Sequence, residues 1–205
     1  MRLALAFALA FALAFALIGA PAFADVVTTV TPIYGQLVAV PIPADFKADY
    51  ESEQNGSYIL EFVPRRESVA DWSQMVTVTG AAGIADRLTV GEFAERLAAG
   101  YQAACPQTFT ALRLDDPAIA GAAAVFAGYL GCGATGSQSE AMVFVIVAGP
   151  TAIYSVQWAE RGPALTRAPD PDPALWLPRA AALGQMRLCD PVAGQGAPYP
   201  SCSGT

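Results

Sequence analysis

The chain contains no histidine. That absence removes the Ser-His-Asp and Cys-His routes to an activated nucleophile, most zinc-binding sets, and the side chain most used to move protons near neutral pH. The groups left for chemistry are four cysteines, scattered carboxylates, a few arginines and a single lysine, Lys47. Cys105, Cys132, Cys189 and Cys202 are an even set with no Cys-x-x-Cys spacing, which suits structural bridges better than redox exchange. Of the three possible pairings, Cys189–Cys202 would pin a Pro/Gly-rich tail, and Cys105–Cys132 would tie a helix end to a strand end.

Asp115-Asp116 and Asp170-Pro171-Asp172 are carboxylate pairs. Calcium needs about six to eight oxygens, and neither pair has the Gly and Glu spacing of a calcium loop. Adjacent acids in a turn do not measure a separation across a cleft either, so glycoside hydrolysis gains nothing from them. Gly131-Cys132-Gly133-Ala134-Thr135-Gly136 matches the dinucleotide fingerprint in letters. That fingerprint works where a strand turns through glycines into a helix N-terminus, and here Ser137-Gln138-Ser139-Glu140 leads into another strand. The glycines are expected to form a hairpin loop.

Arg65, Arg66, Glu67 and Asp71 surround Trp72 in a polar crossing between two strands. With Trp72 as a stacking platform, this could be a rim for an anionic or carbohydrate ligand. In the plainer reading Trp72 fills the sheet end and the charges are solvated. The candidate ligand-binding residues are therefore Arg65, Arg66, Trp72 and the neighbouring Gly133, with no catalytic residue, metal or cofactor assigned. The competing function is a His-free hydrolase using Ser or Asp/Glu, for which Lys47 is the one lysine able to form a Ser-Lys pair.

Those residues must be positioned by a sheet. Tyr58, Leu60 and Phe62 share one face at the two-residue period of a strand, as do Val76 and Val78 after the crossing. Asn55-Gly56 between two alternating runs predicts a tight hairpin. Residues 25–43, broken by Pro32, Pro41 and Pro43, predict one or two edge strands at the sheet margin. Thr89-Val90-Gly91-Glu92 is a capping box opening a helix whose apolar stripe runs to Cys105, where Pro106 stops it. Strands follow at 108–114, 120–130, 141–148 (apolar on both faces, hence central) and 151–160. A closing helix is expected from Pro178 to about Leu188, or alternatively from Pro173 with a kink at Pro178.

Arg2, the apolar run from Leu3 to Ile18, and Ala22-Phe23-Ala24 read as an export leader at 1–24, cleaved after Ala24. The run is short for a membrane span of about 20 residues, so no stable membrane insertion is expected after cleavage. Losing Arg2 takes the net charge from −7 to −8, and such a surface repels phosphate backbones and excludes nucleic acid as a partner. What remains is one domain at 25–190 and a tail at 191–205 pinned by a disulfide.

The order of parts carries a resemblance. A hairpin is followed by Phe62-Val63-Pro64, Glu67-Ser68 and Asp71-Trp72-Ser73-Gln74-Met75-Val76-Thr77, then a capped helix, antiparallel strands to Trp158, and a closing helix into Leu188-Cys189. Over most of residues 33–190 this layout resembles Mog1/PsbP-like exported bacterial proteins, and the Trp-Ser-Gln-Met-Val-Thr run resembles small proteobacterial periplasmic proteins. The resemblance implies an α+β fold, a mainly antiparallel sheet flanked by two principal helices as an α/β/α sandwich. It carries over no catalytic residues. The expected role is a periplasmic, non-enzymatic binding or envelope-accessory module, partnered by a small ligand or an envelope protein.

Overall fold

The computed structural model describes residues 25–203; the leader read at 1–24 and its cleavage after Ala24 lie outside the described residues. In chain order the elements are β1 (Val26–Ile33), β2 (Gln36–Pro43), β3 (Phe46–Gln54), β4 (Ser57–Pro64), β5 (Gln74–Ala82) and α1 (Val90–Ala104). They continue with β6 (Phe109–Arg113), β7 (Ala124–Thr135), β8 (Gln138–Ala148), β9 (Ala152–Pro163), α2 (Pro173–Leu183), β10 (Arg187–Cys189) and α3 (Pro200–Ser203). The fold is α+β and dominated by antiparallel sheet. Seven strands form the main sheet in the order β3-β4-β5-β9-β8-β7-β6, and β1-β2-β10 form a smaller one.

Alternation in the sequence explains why the main sheet is buried on both faces. Tyr58, Leu60 and Phe62 of β4 join Val76 and Val78 of β5, Val143, Val145 and Val147 of β8, and Tyr154 and Val156 of β9 in one cluster. The residues between them, including Val63, Met75, Met142, Phe144 and Ile146, form the cluster on the opposite face. Each fully buried side chain of this size stabilises the fold by about 1.5–3 kcal/mol. Helix α1 packs on β7, β8 and β6, burying Val90 and Ala94. Helix α2 packs on β8, β9 and β2, burying Trp176 and Leu183 in the other cluster.

Local chemistry sets the element ends. Asn55 and Gly56 both take positive φ, 51° and 76°, the geometry of the two-residue hairpin turn their types favour. At α1 the Glu92 N–H donates to Thr89 Oγ1 at 3.2 Å, while Glu92 Oε2 accepts the Thr89 N–H at 2.8 Å.

Three expectations change. Residues 25–43 do not lie at the margin of the main sheet: β1 and β2 form their own hairpin through Tyr34-Gly35, and β2 is buried at every position beneath the main sheet. The prolines fit because β10 pairs only with Leu37, Val38 and Ala39. Pro41 and Pro43 lie beyond its reach, where a missing N–H leaves no ladder bond unmade. The closing helix takes the alternative start at Pro173, with Pro178 inside it and Asp172 accepting the Ala174 N–H at 2.9 Å. It ends at Leu183, and Leu188 belongs to a strand, its N–H donating to the Ala120 carbonyl. Finally, the glycine-rich run is not a loop: β7 extends through it to Thr135, and the turn comes only at Gly136.

Candidate functional site

At one end of the main sheet β4, β7 and β9 finish while β5 and β8 begin. The crossing from β4 to β5 lies here and is tightly held. Asp49 Oδ2 accepts the Val69 N–H at 2.8 Å, and Glu67 accepts both the Ser73 N–H (2.6 Å) and its hydroxyl (2.7 Å). The Arg161 N–H donates to the Ser73 carbonyl at 2.9 Å, locking the end of β9 to the crossing. Trp72 is only 7 % exposed, and the Arg161 guanidinium lies 3.9 Å from its ring centroid. One indole face is therefore already covered by a cation from the same chain.

Arg161 is also paired. Its Nε donates to Glu140 Oε2 at 3.0 Å across the β8–β9 ladder, while the Tyr101 hydroxyl of α1 donates to Glu140 Oε1 at 2.6 Å. Burial, reinforced by the adjacent Glu140 carboxylate, pushes the Tyr101 phenol well above the usual tyrosine range. The result is a chain of contacts, Trp72–Arg161–Glu140–Tyr101, running from the crossing loop to the last turn of α1. Beside it opens a cleft of 310 Å³ lined by Gly100, Tyr101, Ala104, Cys132, Thr135 and Glu140. Its wall is fixed by the Cys105–Cys132 disulfide, which joins the C-cap of α1 to β7.

Glu61 of β4, partly buried beside this network, makes a test of its electrostatics. Desolvation raises its pKa, and the Arg161 charge offsets only part of that. A carboxyl whose folded pKa lies above its unfolded value contributes stability below the unfolded pKa and loses it as pH rises through the folded one. Glu61→Gln is thus expected to raise the melting temperature at pH 7 but not near pH 3. An equal change at both pH values in thermal scans would show that burial does not govern this group.

The other sequence candidates lie apart from this network. Arg65 is exposed and donates to the Ala44 carbonyl at 3.1 Å, and Arg66 is exposed beside it. Both follow the end of β4, and three strands, β5, β9 and β8, separate β4 from β7. Gly133 lies on β7, but a Cβ there would stand 2.1 Å from the Arg167 carbonyl oxygen, so the chain's own loop crosses directly over it. Lys47 pairs with Asp49 at 2.7 Å. Both bridges, Cys105–Cys132 and Cys189–Cys202, form with the favoured pairing. Trp158 and Trp176 are 8 % and 6 % exposed. Arg179, ion-paired to Glu160, lies near both rings. Among the described residues no group of three or more Cys, Asp or Glu is placed to hold a metal ion, and no helix is long and apolar enough to cross a membrane.

Tyr101, Glu140 and Arg161 were not singled out from sequence. A signal for one pair existed. The Gly149-Pro150 turn fixes the β8–β9 register, and counting back eight residues from Ala148 and forward eight from Ile153 meets Glu140 and Arg161.

No protein-family model matches the chain, and no curated protein matches it. Among solved structures it is similar to one described as LpqN involved in cell envelope biogenesis of Mycobacterium tuberculosis. That likeness covers 81 % of this chain and 92 % of the other at 12 % identity, with a TM-score of 0.39. A likeness at that level leaves fold and function to be argued from the chain itself.

Proposed function

We propose that the chain is an exported, periplasmic, non-enzymatic binding or envelope-accessory module. It comprises one domain at 25–190, an α/β/α sandwich of Mog1/PsbP-like layout, with the tail at 191–205 held by Cys189–Cys202. The observation that carries this reading is that all four cysteines are paired, and each bridge joins different elements. Such bonds form and persist in oxidising compartments.

The binding half of the proposal rests on the closed network. Both Glu140 oxygens are engaged and the Tyr101 phenol is held protonated, so this end favours holding a ligand over moving a proton. The ligand is a small molecule entering the cleft beside Gly100 and Thr135. Arg65, Arg66 and Trp72 form the outer border of the same sheet end, and Gly133 lets the loop at 164–172 lie flat against it.

Native mass spectrometry of protein purified from the periplasm, with a denatured non-reduced run, is the test. The expected result is an N-terminus at Asp25, no alkylatable thiol, and a small molecule retained by the native protein. Gly100→Leu places a side chain in the cleft where a Cβ meets nothing within 4 Å. It should remove the retained molecule while stabilising α1 by up to about 1 kcal/mol. A bare native mass, or equal retention by the variant, would sink the cleft assignment; free thiols would sink the oxidised, exported one.

A further inference from the structure

The two edges of the main sheet are built differently. Edge strand β3 carries Lys47, Asp49, Glu51 and Glu53, and a register shift between Ala48 and Tyr50 bends it. Charges and bulges of this kind blunt an edge against further pairing. Edge strand β6, Phe-Thr-Ala-Leu-Arg, has neither a register shift nor a free charge: Arg113 is ion-paired to Asp116 and its guanidinium lies 3.5 Å from the Phe126 ring centroid. The phase of its ladder is set by two flanking bonds, Gly133 N–H to Thr108 O (2.9 Å) and Leu114 N–H to Ala127 O (3.1 Å). Even-numbered residues therefore turn their peptide groups toward β7. Those of Phe109, Ala111 and Arg113 point outward, where no further strand lies among the described residues.

A cleft opens on each side of this edge. On the α2 side, 150 Å³ is bounded by Leu112, Leu114, Tyr129, Pro173, Trp176 and Leu177, and Leu112 and Leu177 are 45 % and 58 % exposed. On the α1 side, 160 Å³ is bounded by Ala98, Arg113, Phe126, Leu130 and Phe144, again with Leu112 at the rim. An unpaired edge with an apolar cleft above and below matches one shape of occupant: an extended segment whose successive side chains point to opposite faces.

We propose that β6 is a strand-addition edge that takes, as an eighth strand, an extended segment of another protein with apolar residues filling both clefts and a Lys or Arg beside them. The charge requirement comes from Glu95, which lines the α1-side cleft, and Asp115, exposed just past β6. Neither has an ion-pair partner among the described residues. A second copy fits worse. It repeats the acidic surplus, and antiparallel self-pairing about Ala111 sets the Thr110 of that copy, not an apolar residue, against Leu112.

The test titrates the purified protein with a synthetic probe, acetyl-Lys-Thr-Val-Leu-Val-Thr-Lys-amide, whose leucine and two valines point to opposite faces, and with a control carrying proline for the central leucine. The amides of Phe109, Ala111 and Arg113 are expected to exchange about tenfold more slowly with the probe and unchanged with the control. Ala111→Pro keeps the β7 ladder but removes an outward N–H, and should abolish the slowing. If that variant melts early, Leu177→Glu charges the α2-side cleft without touching the strand and should abolish it equally. The proposal is overturned if the probe leaves these amides unmoved, if the proline control slows them as much, if Leu177→Glu retains the slowing, or if sedimentation shows the slowing tracks dimerisation.

Discussion

Gly133→Ala is expected to lower stability by about 3 kcal/mol, the upper end for an overpacked site, and to do so with no ligand present. The methyl would stand 2.1 Å from the Arg167 carbonyl oxygen and 2.8 Å from Thr108 Cβ. The first of these is backbone held in place by the Leu165 N–H to Gly133 O bond at 2.7 Å, so it cannot swing aside as a side-chain tip would. Gly136→Ala, three residues on, isolates the other reason for a glycine: its φ is +67° and a Cβ there meets nothing within 4 Å. That substitution should lower stability by only about 1 kcal/mol, the torsional term alone. Urea midpoints read by circular dichroism separate the two. Equal midpoints for both variants would mean that the loop at 164–172 can lift away from β7.

Removing the Cys105–Cys132 bridge as a double Ala variant is expected to destabilise by about 3.5 kcal/mol, and removing Cys189–Cys202 by about 3 kcal/mol, from the loop lengths they close. The sequence separations are 27 and 13. The first variant should also loosen the last turn of α1, because Cys105 is its C-cap, and with it the hydrogen bond from Tyr101 to Glu140. Denaturant titrations with and without reductant give the check. A midpoint that reductant does not move would contradict a structural role for either bridge, and a larger loss from the shorter loop would show that chain entropy is not the governing term.

What could be seen in the sequence was whatever short-range chemistry decides. Asn55-Gly56, the Thr89–Glu92 box and the alternation of Tyr58, Leu60 and Phe62 each act within a few residues, and each appears in the structure as expected. The second sheet was not legible because β10 is three residues long and follows a helix, so Arg187 and Leu188 read as its continuation and Cys189 as its stop. Only pairing with β2, from the opposite end of the chain, makes them a strand. The network Trp72–Arg161–Glu140–Tyr101 is similar in kind. Tyr101 belongs by spacing to the apolar stripe of α1, and nothing local to it announces that its hydroxyl reaches a carboxylate on β8.

The pairing of β2 with β10 also fixes an order of events. A chain made from its N-terminus has the buried, largely apolar β2 in hand long before residues 187–189 exist to cover its second side. Until residues 187–189 have been made, that strand is an uncapped hydrophobic ladder of the sort that recruits a neighbour into aggregates. Truncation ahead of Arg187, or a bulky fusion that keeps the C-terminus from docking, leaves it so permanently. Three residues made late act as the stopper for a strand made about 150 residues before them.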